Sequence, residues 1–331
     1  MILALRSRIV AVLLGLVALL PAPVNAGMTP DDVKTFERSK LEADKGKAYA
    51  QYNLGICYSH GLGVAKDEVE AYKWYRKAAE QGLANAQFNV GVSYSNGLGV
   101  AKDENGAVKW YRMAADQGLA IAQYVLGSLY EIGEVVVKDE AEAVKWYRKA
   151  AEQGHSEGQF WLGSCYANGV GVSTDQAVAV RWFLKAANQG HVTAQFNLGL
   201  CYHNSLGVAK DELEAVKWYR VAALQGSGVA QYNLGVCYAV GELVPNDNIE
   251  AIAYFSLARV TLETGLTKAS DSKRGKARDA EHKMLEEAYE ATLQNLALLK
   301  NKMSAMDILE GYERFIRLQA QVKDGGKISG R

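Results

Sequence analysis

The stretch KDEVEAYKWYRKAAEQG, residues 66–82, returns as KDENGAVKWYRMAADQG at 102–118 and as KDEAEAVKWYRKAAEQG at 138–154. Each copy begins 36 residues after the last. A strict period of this size marks a repeat architecture, in which one supersecondary unit stacks on copies of itself. Working outward from the three clear copies, six units align without insertion: 47–82, 83–118, 119–154, 155–190, 191–226 and 227–262. Gln51, Gln87, Gln123, Gln159, Gln195 and Gln231 form one column. Tyr58, Tyr94, Tyr130, Tyr166, Tyr202 and Tyr238 form another.

Each unit reads as two helices. At about 100° per residue, Ala50, Gln51, Leu54, Gly55 and Tyr58 cluster on one side of the first. Gly61 suits a left-handed C-cap and Gly63 a tight turn. Asp67 follows as an N-cap, with Glu70 three residues on in a capping-box pattern. That Asp recurs at 103, 139, 175, 211 and 247. Ala71, Trp74, Tyr75, Ala78 and Ala79 form the apolar face of the second helix, and Gly82 ends it. One such pair cannot bury its own apolar face, so each unit needs a neighbour of the same shape. The small residues let helices approach, and Trp74 with its equivalents is expected to fill the gaps. The fold class expected is all-α: an α/α solenoid, or superhelix, of six 36-residue helix-turn-helix repeats with helical caps.

The motif A-x-A-Q-[YF]-x-L-G-x-x-Y-x-x-G-x-G-V-x-x-D-x-x-x-A-x-x-W-[YF]-x-x-A-A-x-Q-G resembles the Sel1-like repeat, a relative of the tetratricopeptide repeat. The resemblance covers residues 47–262. Departures are local: Ser205 replaces the first turn glycine, Val135 and Leu243 the second, and Gly106 and Val178 the capping Glu. The resemblance implies a scaffold for protein–protein interaction, with first helices lining a concave groove.

The ends differ from the repeats. Residues 1–26 read as a signal peptide: Arg6 and Arg8, an apolar run from Ile9 to Leu20, and Val24-Asn25-Ala26 as the cleavage site. Cleavage after Ala26 would make this an exported protein, most simply periplasmic, with no stable membrane insertion. Residues 27–46 read as an N-terminal capping helix and 263–331 as a C-terminal helical cap with a loose tail. There the pattern dissolves in a polar stretch, Thr261–Lys276. A long helix spans Arg278–Lys300, and a last one, capped by Ser304, is expected to pack on it through Ile308, Tyr312, Phe315 and Ile316.

Composition excludes some classes. Lys plus Arg equal Asp plus Glu at 37 each, so no net field argues for a nucleic-acid partner. Cys57, Cys165, Cys201 and Cys237 share one column, which Ser93 and Leu129 complete. Equivalent positions in stacked helices lie about 10 Å apart, beyond the ~7 Å between Cα atoms that a disulfide needs. They are therefore expected as buried free thiols. The five histidines show no metal-ligand spacing, and no cofactor is expected. Ser270-Asp-Ser-Lys273 fits S-x-x-K, but the S-D-N and K-T-G partners of a serine β-lactamase are missing, so it reads as chance. The chain is not expected to be an enzyme.

Constant columns describe a scaffold, so function is sought where copies differ. Positions 49, 53, 56 and 60 and their equivalents form one stripe along the first helix. It carries the candidate partner-binding residues Tyr49, Asn53 and His60 in the first unit, Asn85, Asn89 and Asn96 in the second, and Ile121 and Val125 in the third. Trp161 and Asn168, Asn197 and Asn204, and Asn233 continue it. An asparagine offers a donor and an acceptor together, which suits the backbone of an extended peptide. Trp161 is the candidate aromatic anchor. The bland alternative for the same asparagines is solvation or ties between neighbouring units, and groove binding is favoured because solenoids usually bind through this surface. The partner expected is another protein or peptide segment. A cell-wall glycan binder and a peptidoglycan or β-lactam hydrolase stand as alternatives.

Overall fold

The computed structural model describes residues 29–270 and 276–323, with side chains given outside 268–281. The segment read as a signal peptide and the S-x-x-K tetrapeptide fall outside those side chains. Among the described residues there are fifteen helices and no strand. They form two compact units, one ending at Gly158 and the other beginning at Gln159.

The first unit opens with α1 (Pro30–Asp44), whose N-cap Thr29 and Asp32 make a reciprocal capping box. Three helix pairs follow: α2 (Ala48–His60) with α3 (Glu68–Glu80), α4 (Ala84–Asn96) with α5 (Glu104–Asp116), and α6 (Ala120–Ile132) with α7 (Glu140–Glu152). α8 (Ser156–Asn168) carries the chain into the second unit. There α9 (Gln176–Asn188), α10 (Val192–His203), α11 (Glu212–Leu224) and α12 (Gly228–Val240) continue the alternation. α13 (Asn248–Ser270), α14 (Lys276–Lys300) and α15 (Ala305–Lys323) close the chain. The architecture is an all-α solenoid of repeated helical pairs.

Local signals set the helix ends. Gly61, Gly97, Gly133 and Gly241 are left-handed C-caps, and Ser205 takes the same conformation at φ 55°. Asp67 accepts from the amides of Val69 and Glu70 at 2.9 and 3.0 Å. Asp103 and Asp175 cap equally well through Gly106 and Val178 at 2.9 Å, so the missing glutamates cost these helices no N-cap.

Packing bears out the expected gap-filler only in part. Trp146 and Tyr254 are buried at 3% and 2% exposed, whereas Trp74, Trp110, Trp182 and Trp218 are half-buried, and Lys77 lies 3.8 Å over the Trp74 ring. The ring buried in every repeat is the next residue: Tyr75, Tyr111, Tyr147, Phe183, Tyr219 and Phe255 are at most 6% exposed. Each lies flat against a first-helix glycine. A Cβ on Gly55 would sit 2.5 Å from the Tyr75 ring, and one on Gly127 2.6 Å from that of Tyr147. Here glycine buys close approach at a cost in helix propensity of about 1 kcal/mol.

Glutamines tie the stack together. Gln81 donates to Gln51 at 2.7 Å, and Gln51 donates to the Ala43 carbonyl at 3.4 Å. The same two-step bridge runs from Gln117 through Gln87 to Ala79, and from Gln153 through Gln123 to Ala115. In the second unit it runs from Gln225 through Gln195 to Ala187. Each of these helix-end carbonyls also accepts the amide of the following turn glycine, as Ala79 does from Gly82 at 2.9 Å, so the glutamine adds a second donor and ties the next repeat to the turn. The bridge ends at Gln231: Thr261 stands where the next glutamine would be, and the Gln231 Oε1 is buried without a hydrogen bond.

The C-terminal end departs from the sequence reading twice. α13 does not dissolve at Thr261 but runs unbroken to Ser270. Leu262, 2% exposed, replaces the glycine that terminates the other second helices. α15 packs on α13 rather than chiefly on α14: Gly311 meets Ile252, and Ile316 is exposed. Arg314 fixes it there, donating to Asp247 and Glu250 at 3.2 and 2.9 Å.

Candidate functional site

The stripe residues lie on α2, α4 and α6 in the first unit and on α8, α10 and α12 in the second. Tyr49, 64% exposed, with Asn85, Asn168 and Asn204 reaches solvent. Asn53, His60, Asn89, Asn96, Ile121, Asn197 and Asn233 are half-buried. Val125 and Trp161 are buried, and Trp161 meets Phe160 edge-to-face at 5.4 Å.

Several of the amides hold their own helix. Asn96 donates to the Val92 carbonyl at 3.0 Å, Asn168 to Ser164 at 2.9 Å, Asn204 to Leu200 at 3.0 Å and Asn233 to Val229 at 2.7 Å. The first three sit in the last turn and each folds back on the carbonyl four residues before it, which for Leu200 also accepts the Asn204 amide at 3.0 Å. Each such bond uses one of two amide N–H groups. Asn89 instead hydrogen-bonds the Tyr75 hydroxyl of the preceding repeat. His60 is bonded to Ser59 and to the Ile56 carbonyl at 2.8 and 3.1 Å.

Beneath the stripe, ring and partner match. Residues 16 apart face each other: Ser59 with Tyr75 at 2.9 Å, Glu131 with Tyr147 at 2.7 Å, and His203 with Tyr219 at 3.4 Å. Where the ring is Phe183 or Phe255 and has no hydroxyl, the opposite residue is Ala167 or Ala239. A buried hydroxyl needs a partner, and a phenyl ring does not. Comparing the two columns would have exposed this rule without coordinates, because the polar residue changes with the ring.

Reactive groups are muted. The four cysteines are buried free thiols, and burial pushes Cys201 and Cys237 up to about 11. Among the described residues no three His, Cys, Asp or Glu side chains gather as metal ligands. No described helix is long and apolar enough to cross a membrane. What the surface offers is hydrogen bonding and apolar contact.

A Sel1 repeat family model matches residues 48–83, 84–119, 120–155, 156–191, 192–227 and 228–259, together more than half of the chain. No curated protein matches. Among solved structures, a protective antigen of uropathogenic Escherichia coli displaying an SLR fold is 34% identical with a TM-score of 0.67. That match covers 88% of this chain but only 64% of the antigen. A Sel1 repeat protein from Oxalobacter formigenes is 36% identical with a TM-score of 0.61, over 68% of this chain and 99% of its own. The chain belongs to the Sel1 repeat family.

Proposed function

We propose that the protein is a non-catalytic periplasmic scaffold that captures a segment of another protein along the first-helix faces of its repeats. Sel1 repeat proteins generally mediate protein–protein interaction. One observation carries the finer reading. The constant columns are consumed in holding repeats together, through the glutamine bridges and the rings against glycine. The stripe varies from copy to copy, and Tyr49, Asn85, Asn168 and Asn204 leave it toward solvent. Solenoids commonly bind through such extended repeat surfaces. Asn89 and Asn233 are less direct candidates, since they are half-buried as well as bonded within the fold, whereas Asn168 and Asn204 are exposed.

The test is a pull-down from periplasmic extract with the mature chain and a Tyr49→Ser/Asn85→Ser/Asn204→Ser variant. These exposed positions should change stability by no more than about 0.5 kcal/mol each. A protein retained by the parent and lost by the variant supports capture on the stripe. Equal retention by both would refute it. Mass determination of the exported chain should find Gly27 at its N-terminus.

A further inference from the structure

The last helix, α15, is apolar on two sides. On its inner side Gly311 meets Ile252, Ile308 packs on the cluster of Ile252, Phe255 and Leu296, and Leu318 packs on that of Tyr219 and Tyr254. Its outer side carries Met306, Leu309, Glu313, Ile316 and Ala320, spaced alternately by three and four residues. All five are exposed, Met306 to 75%, Leu309 to 55% and Ile316 to 62%. Positions so spaced fall on one stripe of a helix, and a stripe that is mostly apolar is the seam of a coiled coil. Other outward faces are charged. α3 turns Lys73, Arg76, Lys77 and Glu80 to water. α1, which opens the described chain, shows Lys34, Glu37, Arg38 and Lys40, with Leu41 as its one exposed large apolar residue. The terminal cap of a repeat array needs a polar outer face to stay soluble. α15 lacks one, so its seam calls for a cover.

Charge decides what covers it. Glu310 and Arg317 flank the seam along the same edge, each four residues after a seam position. Arg314, on the inner side, is paired with Asp247, Glu250 and Glu310. Arg317 is exposed and, among the described residues, bonds only the Glu313 carbonyl of its own helix, at 3.4 Å. A second α15 laid parallel and in register would set Glu313 against Glu313 and Arg317 beside Tyr312. Like charges in one seam layer repel. Laid antiparallel, with Glu313 level with Ile316 of the other copy, the seam matches: Leu309 meets Ala320, and the two Ile316 side chains meet beside the twofold axis. Arg317 of one copy then reaches Glu310 and Glu313 of the other, and the axis makes each contact twice. In this one orientation the helix is complementary to itself.

We propose that α15 pairs antiparallel with α15 of a second copy of this chain, through Leu309, Ile316 and Ala320 at the seam and Arg317 against Glu310 and Glu313 at its edge. One helix on one helix covers less than about 1,200 Å², the class of transient complexes, so the dimer exchanges with monomer. This surface is separate from the first-helix stripe, so its failure would leave segment capture standing, and the reverse.

The test is sedimentation velocity on the full mature chain from about 1 µM to about 1 mM, the span of weak association. The parent should pass from monomer to dimer within that range. Ile316→Asp brings two acids together at the axis, and Arg317→Glu turns attraction at the edge into repulsion. Each should weaken the dimer at least about tenfold, with helicity unchanged because both positions are exposed. Cysteine pairing then reads the orientation. Leu309→Cys protein mixed with Ala320→Cys protein under mild oxidation should give a disulfide-linked pair that neither variant forms alone. A parent that stays monomeric at about 1 mM would leave the face to an unlike partner and overturn the proposal. A dimer that both charge variants leave intact, or linkage within either cysteine variant alone instead of in the mixture, would overturn it equally.

Discussion

Phe183→Tyr should destabilise the second unit, and adding Ala167→Ser should recover much of the loss. Phe183 is 4% exposed and its ring sits so close to Gly163 that a Cβ there would lie 2.9 Å away. The ring therefore cannot swing to bring a new hydroxyl to water. The hydroxyl would face Ala167, 9% exposed, where Tyr219 faces His203 and Tyr147 faces Glu131. Burying a hydroxyl without a partner costs about 1–3 kcal/mol. At about 2–4 °C per kcal/mol for a unit of this size, the midpoint should fall by roughly 2–12 °C. A serine in place of Ala167 would set its Oγ where Ser59 lies 2.9 Å from the Tyr75 hydroxyl, with Asn197 in the position of Asn89. The recovered bond should appear as a favourable coupling of about 0.5–1.5 kcal/mol in a double-mutant cycle. Urea titration followed by far-ultraviolet circular dichroism on the four proteins measures it. Additivity within about 0.3 kcal/mol would refute the pairing rule.

Three further outcomes are expected. Gln195→Leu removes the bridge from Gln225 to the Ala187 carbonyl and should cost about 1–3 kcal/mol in chemical denaturation; an unchanged midpoint would mean that the bridges do not hold repeats together. His155 accepts the Gly158 amide at 3.2 Å, and burial lowers its pKa while Glu157 opposes. The unfolded chain then binds that proton more strongly, so stability is full above the unfolded value of about 6.5 and falls as pH drops through it toward the folded value. His155→Asn should flatten that part of the profile, and an identical profile would exclude His155 as its source. A disulfide reagent at mildly alkaline pH should leave the native thiols untouched and label all four cysteines after denaturation, since burial holds Cys201 and Cys237 at about 11. Rapid labelling of folded protein would contradict that burial.

Much of the scaffold was legible because its signals are local. Asp67 and its equivalents cap the helices they precede, and Gly61, Gly97 and Gly133 take the left-handed conformation that ends them. The free, buried state of the cysteine column also followed from the stacking distance. Where the reading of the C-terminus differed, a local signal existed: Leu262 in place of a terminal glycine lets α13 continue. The stripe was legible as a set of variable positions. That Asn89 turns to Tyr75 while Tyr49 faces water was not, because adjacent helices decide which polar group finds a partner.

The sequence by itself determined the period, the alternation of helices and the residues that start and stop them, since each depends on a few neighbouring positions. Only the tertiary structure decided that Tyr75 and its equivalents are buried in every repeat while Trp74 is half-covered and Trp146 enclosed, and that α15 rests on α13. These outcomes turn on the volume between helices joined by many residues of chain. A hydrophobic pattern states which face is buried, but not which side chain is the right size to occupy it.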